Sequence, residues 1–126
     1  FMGANCSHNW SMYWEGASVR SYTPERLAAI NAATVTYNGK EIGRYKATQM
    51  QRAQERQIRA DKRAFLVAKE SGQKDAEKAA AAKLAASRAK MKDFLSQTGL
   101  QQYQLRESVP GFGRSEAASA AAQARK

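Results

Sequence analysis

This sequence is poor in most of the residues that build compact or cross-linked folds. It has one cysteine, Cys6, among 126 residues, which excludes an intrachain disulfide. It has one histidine, His8, and two prolines. Large apolar side chains are scarce, and the 43% hydrophobic fraction is filled out by alanine. So thin a core argues against a compact globule. It fits an extended helical object, or a part of an assembly that buries its faces on neighbours. No apolar run approaches the ~18 residues needed to span a bilayer. The N-terminal segment lacks the basic region and continuous apolar stretch of a secretory signal. Acidic residues are also few: 11 against 21 Lys and Arg, a formal net charge of +10. That balance fits nucleic acid, an acidic protein surface or an anionic membrane surface as partner. It equally fits a long helix that Lys and Arg keep soluble. Because the chain starts at Phe1 rather than Met, we expect a fragment, a processed product or part of something longer.

What is present divides the chain into three parts. Residues 1–43 form the first. Residues 1–22 hold Phe1, Trp10, Tyr13, Trp14 and Tyr22 among Gly, Ser and Asn. They show neither helical period nor alternation and read as an irregular segment whose aromatics anchor it. Base stacking by Trp10 or Trp14 is the alternative. Thr23 suits a helix N-cap and Pro24 a first helical position, so a short helix should run to about Ala32 with Leu27 and Ile30 buried. Thr34–Tyr37, the Asn38-Gly39 pair and Lys40–Ile42 read as a β-hairpin with a type I′ turn.

Residues 44–99 form the second part. Glycine and proline are absent from Arg44 to Glu70, and the period is helical. At 1.5 Å per residue this predicts roughly 40 Å of helix. Ser71-Gly72 breaks it. A second helix is predicted from about Lys74 to Thr98, ended by Gly99, with Ala76, Ala80, Leu84, Ser87, Met91 and Phe94 inward. A tight link makes the two an antiparallel hairpin. Met91, Phe94 and Leu95 should meet the first helix near Met50. Residues 100–126 form the third part, an arm anchored by Tyr103, Leu105, Val109 and Phe112, then an alanine-rich tail. With nothing large to pack, the tail should fray or be disordered. The fold class is therefore mainly α: an antiparallel long-helix hairpin with a small β-hairpin and an irregular N-terminal segment.

The first long helix carries the most specific pattern. Arg52, Arg56, Arg59 and Arg63 are spaced +4, +3 and +4. They fall within a band roughly 60° wide on the helix. Ala47, Met50, Ile58, Phe65 and Ala68 project to the opposite side. The guanidinium stripe spans about 16 Å. Arg grips phosphate or carboxylate through two parallel hydrogen bonds, so the stripe is a candidate polyanion- or partner-binding face. A solvated face, a protein contact and a nucleic-acid contact all remain open. Sequence-specific reading of bases is not expected, since no aromatic is interleaved and no grooved fold is present.

Chemistry beyond binding finds little support. Cys6 and His8 lie two apart, but a zinc site needs about four ligands. The readings are a structural thiol and imidazole, a metal site shared between subunits, or a Cys–His catalytic pair lacking an orienting third group. Gly111-Phe112-Gly113 lacks the flanks of a phosphate-cradling loop. Asp61, Asp75, Glu77 and Asp93 read as solvated or paired at short range on helix surfaces. No cofactor, catalytic set or complete metal site is expected.

Val35–Ile42, then Tyr45–Arg52 and Glu55–Arg59, resemble the C-terminal region of tailed-phage minor capsid proteins. These are minor head proteins of phages and prophages, mostly of Gram-positive hosts. Gly3-Ala4-Asn5-Cys6-Ser7-His8 is similar to an upstream Gly-x-Asn-Cys-Arg-His element of that family, with Ser7 in place of the arginine. Phe94–Leu100 resembles its Thr-Gly-Leu helix end. The match spans roughly residues 3–107. The resemblance implies a structural component of the virion near the portal, active in head assembly, DNA packaging or ejection. It implies contact with portal or major capsid protein, the basic face then meeting either an acidic protein surface or the backbone of packaged DNA. It also implies location in the capsid interior or at the portal vertex, assembly in the host cytoplasm, and a large N-terminal part absent here. No membrane and no small-molecule substrate are expected. The alternatives are a non-specific nucleic-acid-binding module, a nuclease or transferase using His8 with tyrosines or arginines, and a phage-borne toxin domain, for which no catalytic set is seen.

Overall fold

The computed structural model describes residues 12–19 and 22–125. Phe1, Cys6, His8 and Trp10 lie outside the described residues, so the readings placed on them do too. The chain divides into two compact units, Phe1–Ala32 and Ala33–Lys126. The β-hairpin thus belongs with the long helices rather than with the N-terminal segment.

In the first unit, Trp14 closes a turn. Its N–H donates to Ser18 Oγ at 2.9 Å, and its carbonyl accepts from the N–H groups of Ala17 and Ser18. Helix α1 spans Pro24–Ala32, with Thr23 Oγ1 accepting from the Arg26 N–H at 3.3 Å as its N-cap. Two expectations fail here. Leu27 and Ile30 are about half exposed, and α1 buries no residue. Trp14 and Tyr22 are more than half exposed, so neither is a buried anchor. The Tyr22 ring instead receives the Arg26 guanidinium, 5.3 Å from its centroid.

The second unit opens with strands β1, Thr34–Tyr37, and β2, Lys40–Gly43, paired antiparallel with Val35 opposite Ile42. Asn38 and Gly39 both have positive φ, 51° and 72°, as the turn requires. The hairpin also caps the next element. Helix α2, Arg44–Glu70, has no side-chain N-cap; its first N–H donates to the Ala33 carbonyl at 2.8 Å. Helix α3, Lys74–Thr98, returns antiparallel to α2. It ends at Gly99, whose φ of 66° supplies the left-handed turn. The expected bounds of both long helices are met, and β2 runs one residue past the expected Ile42.

The core follows the expected stripes and then exceeds them. Ile58, Phe65 and Ala68 of α2 pack with Ala80, Ala81, Leu84 and Met91 of α3. Ala47 and Phe94 are also buried, and Phe94 meets Tyr37 of the hairpin edge-on at 5.0 Å. The larger difference lies after Gly99. Residues 100–113 run back over α2, with one 3₁₀ turn at Gln104–Glu107. Of the expected anchors, Val109 is buried and Phe112 packs edge-on against Phe65 at 6.1 Å. Tyr103 and Leu105 do not anchor; Leu105 is 89% exposed. The tail is not frayed. It forms α4, Arg114–Gln123, begun by the Gly113 N–H donating to Glu116 Oε2 at 3.1 Å. Ala120 is buried in the core cluster beside Ala76, Ala80 and Ala81. Small side chains pack here by letting the helices approach closely, so volume was the wrong criterion for this segment.

Candidate partner-binding face

The arm explains the burial of polar residues on α2. Gln51 Nε2 donates to the Gln101 carbonyl at 2.8 Å. Arg59 Nη1 donates to the Arg106 carbonyl. Lys62 Nζ donates to the Glu107 carbonyl at 2.5 Å and lies 5.4 Å from the centre of the Phe112 ring. Burial and the nearby Arg88 guanidinium hold the Lys62 ammonium below the ordinary lysine range, against the opposing pull of Glu107. Glu107, itself buried, accepts from Gln102 Nε2 at 2.9 Å. The acidic residues are expected on helix surfaces, solvated or paired at short range, and two of them are buried instead. Asp61 is not solvated: it is buried and accepts from Gln57 Nε2 at 2.9 Å and from Ser87 Oγ at 2.5 Å. Glu77 makes the expected short-range pair, with Lys74 Nζ at 3.2 Å, but it is buried and also accepts from Gln123 Nε2 of α4 at 3.4 Å. Hydrogen bonding offsets the cost of burying each group.

The arginine stripe is divided. Arg52, Arg56 and Arg63 are exposed on the outer side of α2, while Arg59 is half-buried and bends toward the arm. Arg52, Arg56 and Arg59 line an open basin of about 280 Å³ together with Glu55 and Arg106; Arg63 lies outside it. Arg106 comes from the 3₁₀ turn, its guanidinium stacked 4.2 Å from the centre of the Tyr103 ring. Glu55 is only 2% exposed, and its Oε1 is sealed from solvent without a hydrogen-bond partner. Burial pushes this carboxyl above the ordinary range; Arg106, Arg59 and Arg52 pull against that, while Glu107 reinforces it. The basin is therefore a ring of guanidinium groups over a desolvated carboxyl. Neither Glu55 nor Arg106 was singled out from the sequence. Glu55 carried a signal, since it sits four residues before Arg59 and one before Arg56. Arg106 carried none, because only the path of the arm brings it here.

Among the described residues no group of three or more His, Cys, Asp or Glu side chains is arranged to hold a metal ion. No helix among them is long and apolar enough to cross a membrane.

Residues 1–96 match the family described as phage minor capsid protein 2. The chain belongs to this family. It is thus a phage minor capsid protein with a structural role in the virion, where it contacts other virion components. The match covers the β-hairpin, α2 and nearly all of α3, so it includes the arginine stripe and Glu55. The arm, Arg106 and α4 lie beyond the matched residues. No curated protein and no solved structure matches the chain.

Proposed function

We propose that this minor capsid protein docks inside the head, at the portal vertex or inner capsid wall, through the basic side of α2. The surface it meets is an acidic face of a portal or major capsid subunit. One observation carries this reading: Arg52, Arg56 and Arg63 stay exposed and form no ion pair with any other described residue. A helix that used arginine only for solubility has no need to align it over about 16 Å. The core is closed by the protein's own arm and α4, which leaves this charged side for external contact. The role is one of attachment, and no catalytic step is assigned to it.

The test is Arg52→Glu combined with Arg56→Glu in the phage. Incorporation of the protein into purified heads should fall steeply, as judged by quantitative mass spectrometry, while the isolated protein stays folded. Full incorporation of the variant refutes the reading. Contact with packaged DNA is the other use of such a face. It predicts duplex binding whose logarithm falls steeply and linearly with log salt. A steep slope that disappears in the double variant would transfer the face to DNA.

A further inference from the structure

The basin over Glu55 is more particular than a basic patch needs to be. A patch selected only for positive charge gains nothing from a carboxyl beneath it. Glu55 weakens the local field, is desolvated, and leaves Oε1 without a donor. Buried acceptors are normally satisfied, so an orphaned one at the floor of a basin points to the chemistry of what settles there. A phosphodiester backbone offers acceptors and negative charge only. It would satisfy the arginines and leave Glu55 unpaired. A segment of acidic polypeptide offers both a side-chain carboxylate and a backbone N–H a few ångströms away.

We propose that the basin formed by Arg52, Glu55, Arg56 and Arg106 is a mixed donor–acceptor site for an acidic peptide segment of a partner protein. Arg52 and Arg56 clasp a carboxylate of the segment, and Glu55 accepts one of its backbone N–H groups. This rests on the reading of the α2 face as a protein-docking surface and names the kind of segment that it takes. Arg59 is already committed to the Arg106 carbonyl and acts as a positioning residue for the 3₁₀ turn. The Arg106 side chain is exposed and held by ring stacking on Tyr103, with no ion pair to another described residue. It can therefore swing outward with an incoming carboxylate and open the way to Glu55.

Glu55→Gln separates the two chemistries by the sign of its effect. Gln is isosteric with Glu; the change removes one negative charge from the basin and leaves only a weaker, neutral acceptor that can also turn its NH2 inward. A ligand held by charge alone then binds more tightly. A ligand that uses the carboxylate as an acceptor binds less tightly. The assay is fluorescence anisotropy on the full chain with two labelled probes, a short alternating Asp-Gly peptide and a short DNA duplex. Glu55→Gln should weaken the peptide about three- to fivefold, as a charge-assisted hydrogen bond is reduced to a neutral one, and should not weaken the duplex. Equal or tighter peptide binding by Glu55→Gln overturns the proposal, as does a wild-type preference for the duplex. Arg52→Gln with Arg56→Gln isolates the underlying reading. If that pair loses the peptide while Glu55→Gln keeps it, the docking face stands and the mixed site falls. If neither variant changes binding, both fall. A thermal melt of each variant checks that it folds.

Discussion

The contact between Phe65 and Phe112 ties the arm to the helical hairpin, and its strength can be worked out in advance. Phe65 is fully buried and lies in the cluster with Ile58, Leu84 and Met91. Truncation to alanine removes the ring and leaves a cavity, a loss of about 3–5 kcal/mol. A unit the size of Ala33–Lys126 has about 5–15 kcal/mol in all, so Phe65→Ala should lower Tm by on the order of 20 °C. Phe112 is half-buried, and Phe112→Ala should cost about 1–2 kcal/mol. The rings meet edge-on, with centroids 6.1 Å apart and planes at 73°. That geometry contributes about 0.5–1.5 kcal/mol beyond burial, which should appear as non-additivity in the double variant. Urea unfolding of the four proteins, followed by far-UV circular dichroism, closes the cycle. If the two losses add within about 0.3 kcal/mol, the rings are not in contact. The seating of the arm, and with it the position of Arg106 beside Glu55, would then be wrong.

Two further outcomes test the buried carboxyl and the last helix. The Glu55 carboxyl in the folded chain lies above its ordinary value of 4.5, so its favourable contribution is complete below that pH and is lost as pH rises through the raised value. Glu55→Gln does not titrate, so its stability relative to wild type should climb from acid toward neutral pH; a difference that stays flat between acid and neutral contradicts the desolvation of Glu55. Ala120→Glu places a charge where a methyl group is 3% exposed, and should cost about 1–3 kcal/mol, speeding amide exchange across Arg114–Gln123 before α2 or α3. Unprotected amides in this helix of the wild type would show that it is not seated.

The long helices were legible because their signals are local. The helical period, the Ser71-Gly72 break, Gly99 and the Asn38-Gly39 turn each act within a few residues of themselves. The outward direction of Arg52, Arg56 and Arg63 followed from the same period. The errors share a different cause. The burial of Gln51, Glu55 and Lys62 has no local signal, because it is the arm that covers them. The groups that take up Gln51 and Lys62 are main-chain carbonyls, which leave no trace in composition. Asp61 and Glu77 have local partners in Gln57 and Lys74, but each is also held from a distance, by Ser87 of α3 and by Gln123 of α4. Such pairings depend on the path of the chain. Alanine misled in the tail, where hydrophobicity per residue is low but fit between helices is close.

The way the arm is held has a consequence for how it can change. Gln51, Arg59 and Lys62 all grip peptide oxygens, at Gln101, Arg106 and Glu107. Any amino acid offers that oxygen, so attachment is indifferent to the identities of much of the strap. Gln104 and Leu105 are exposed along this stretch. Mutation can rewrite those outward letters while the backbone that displays them keeps its place.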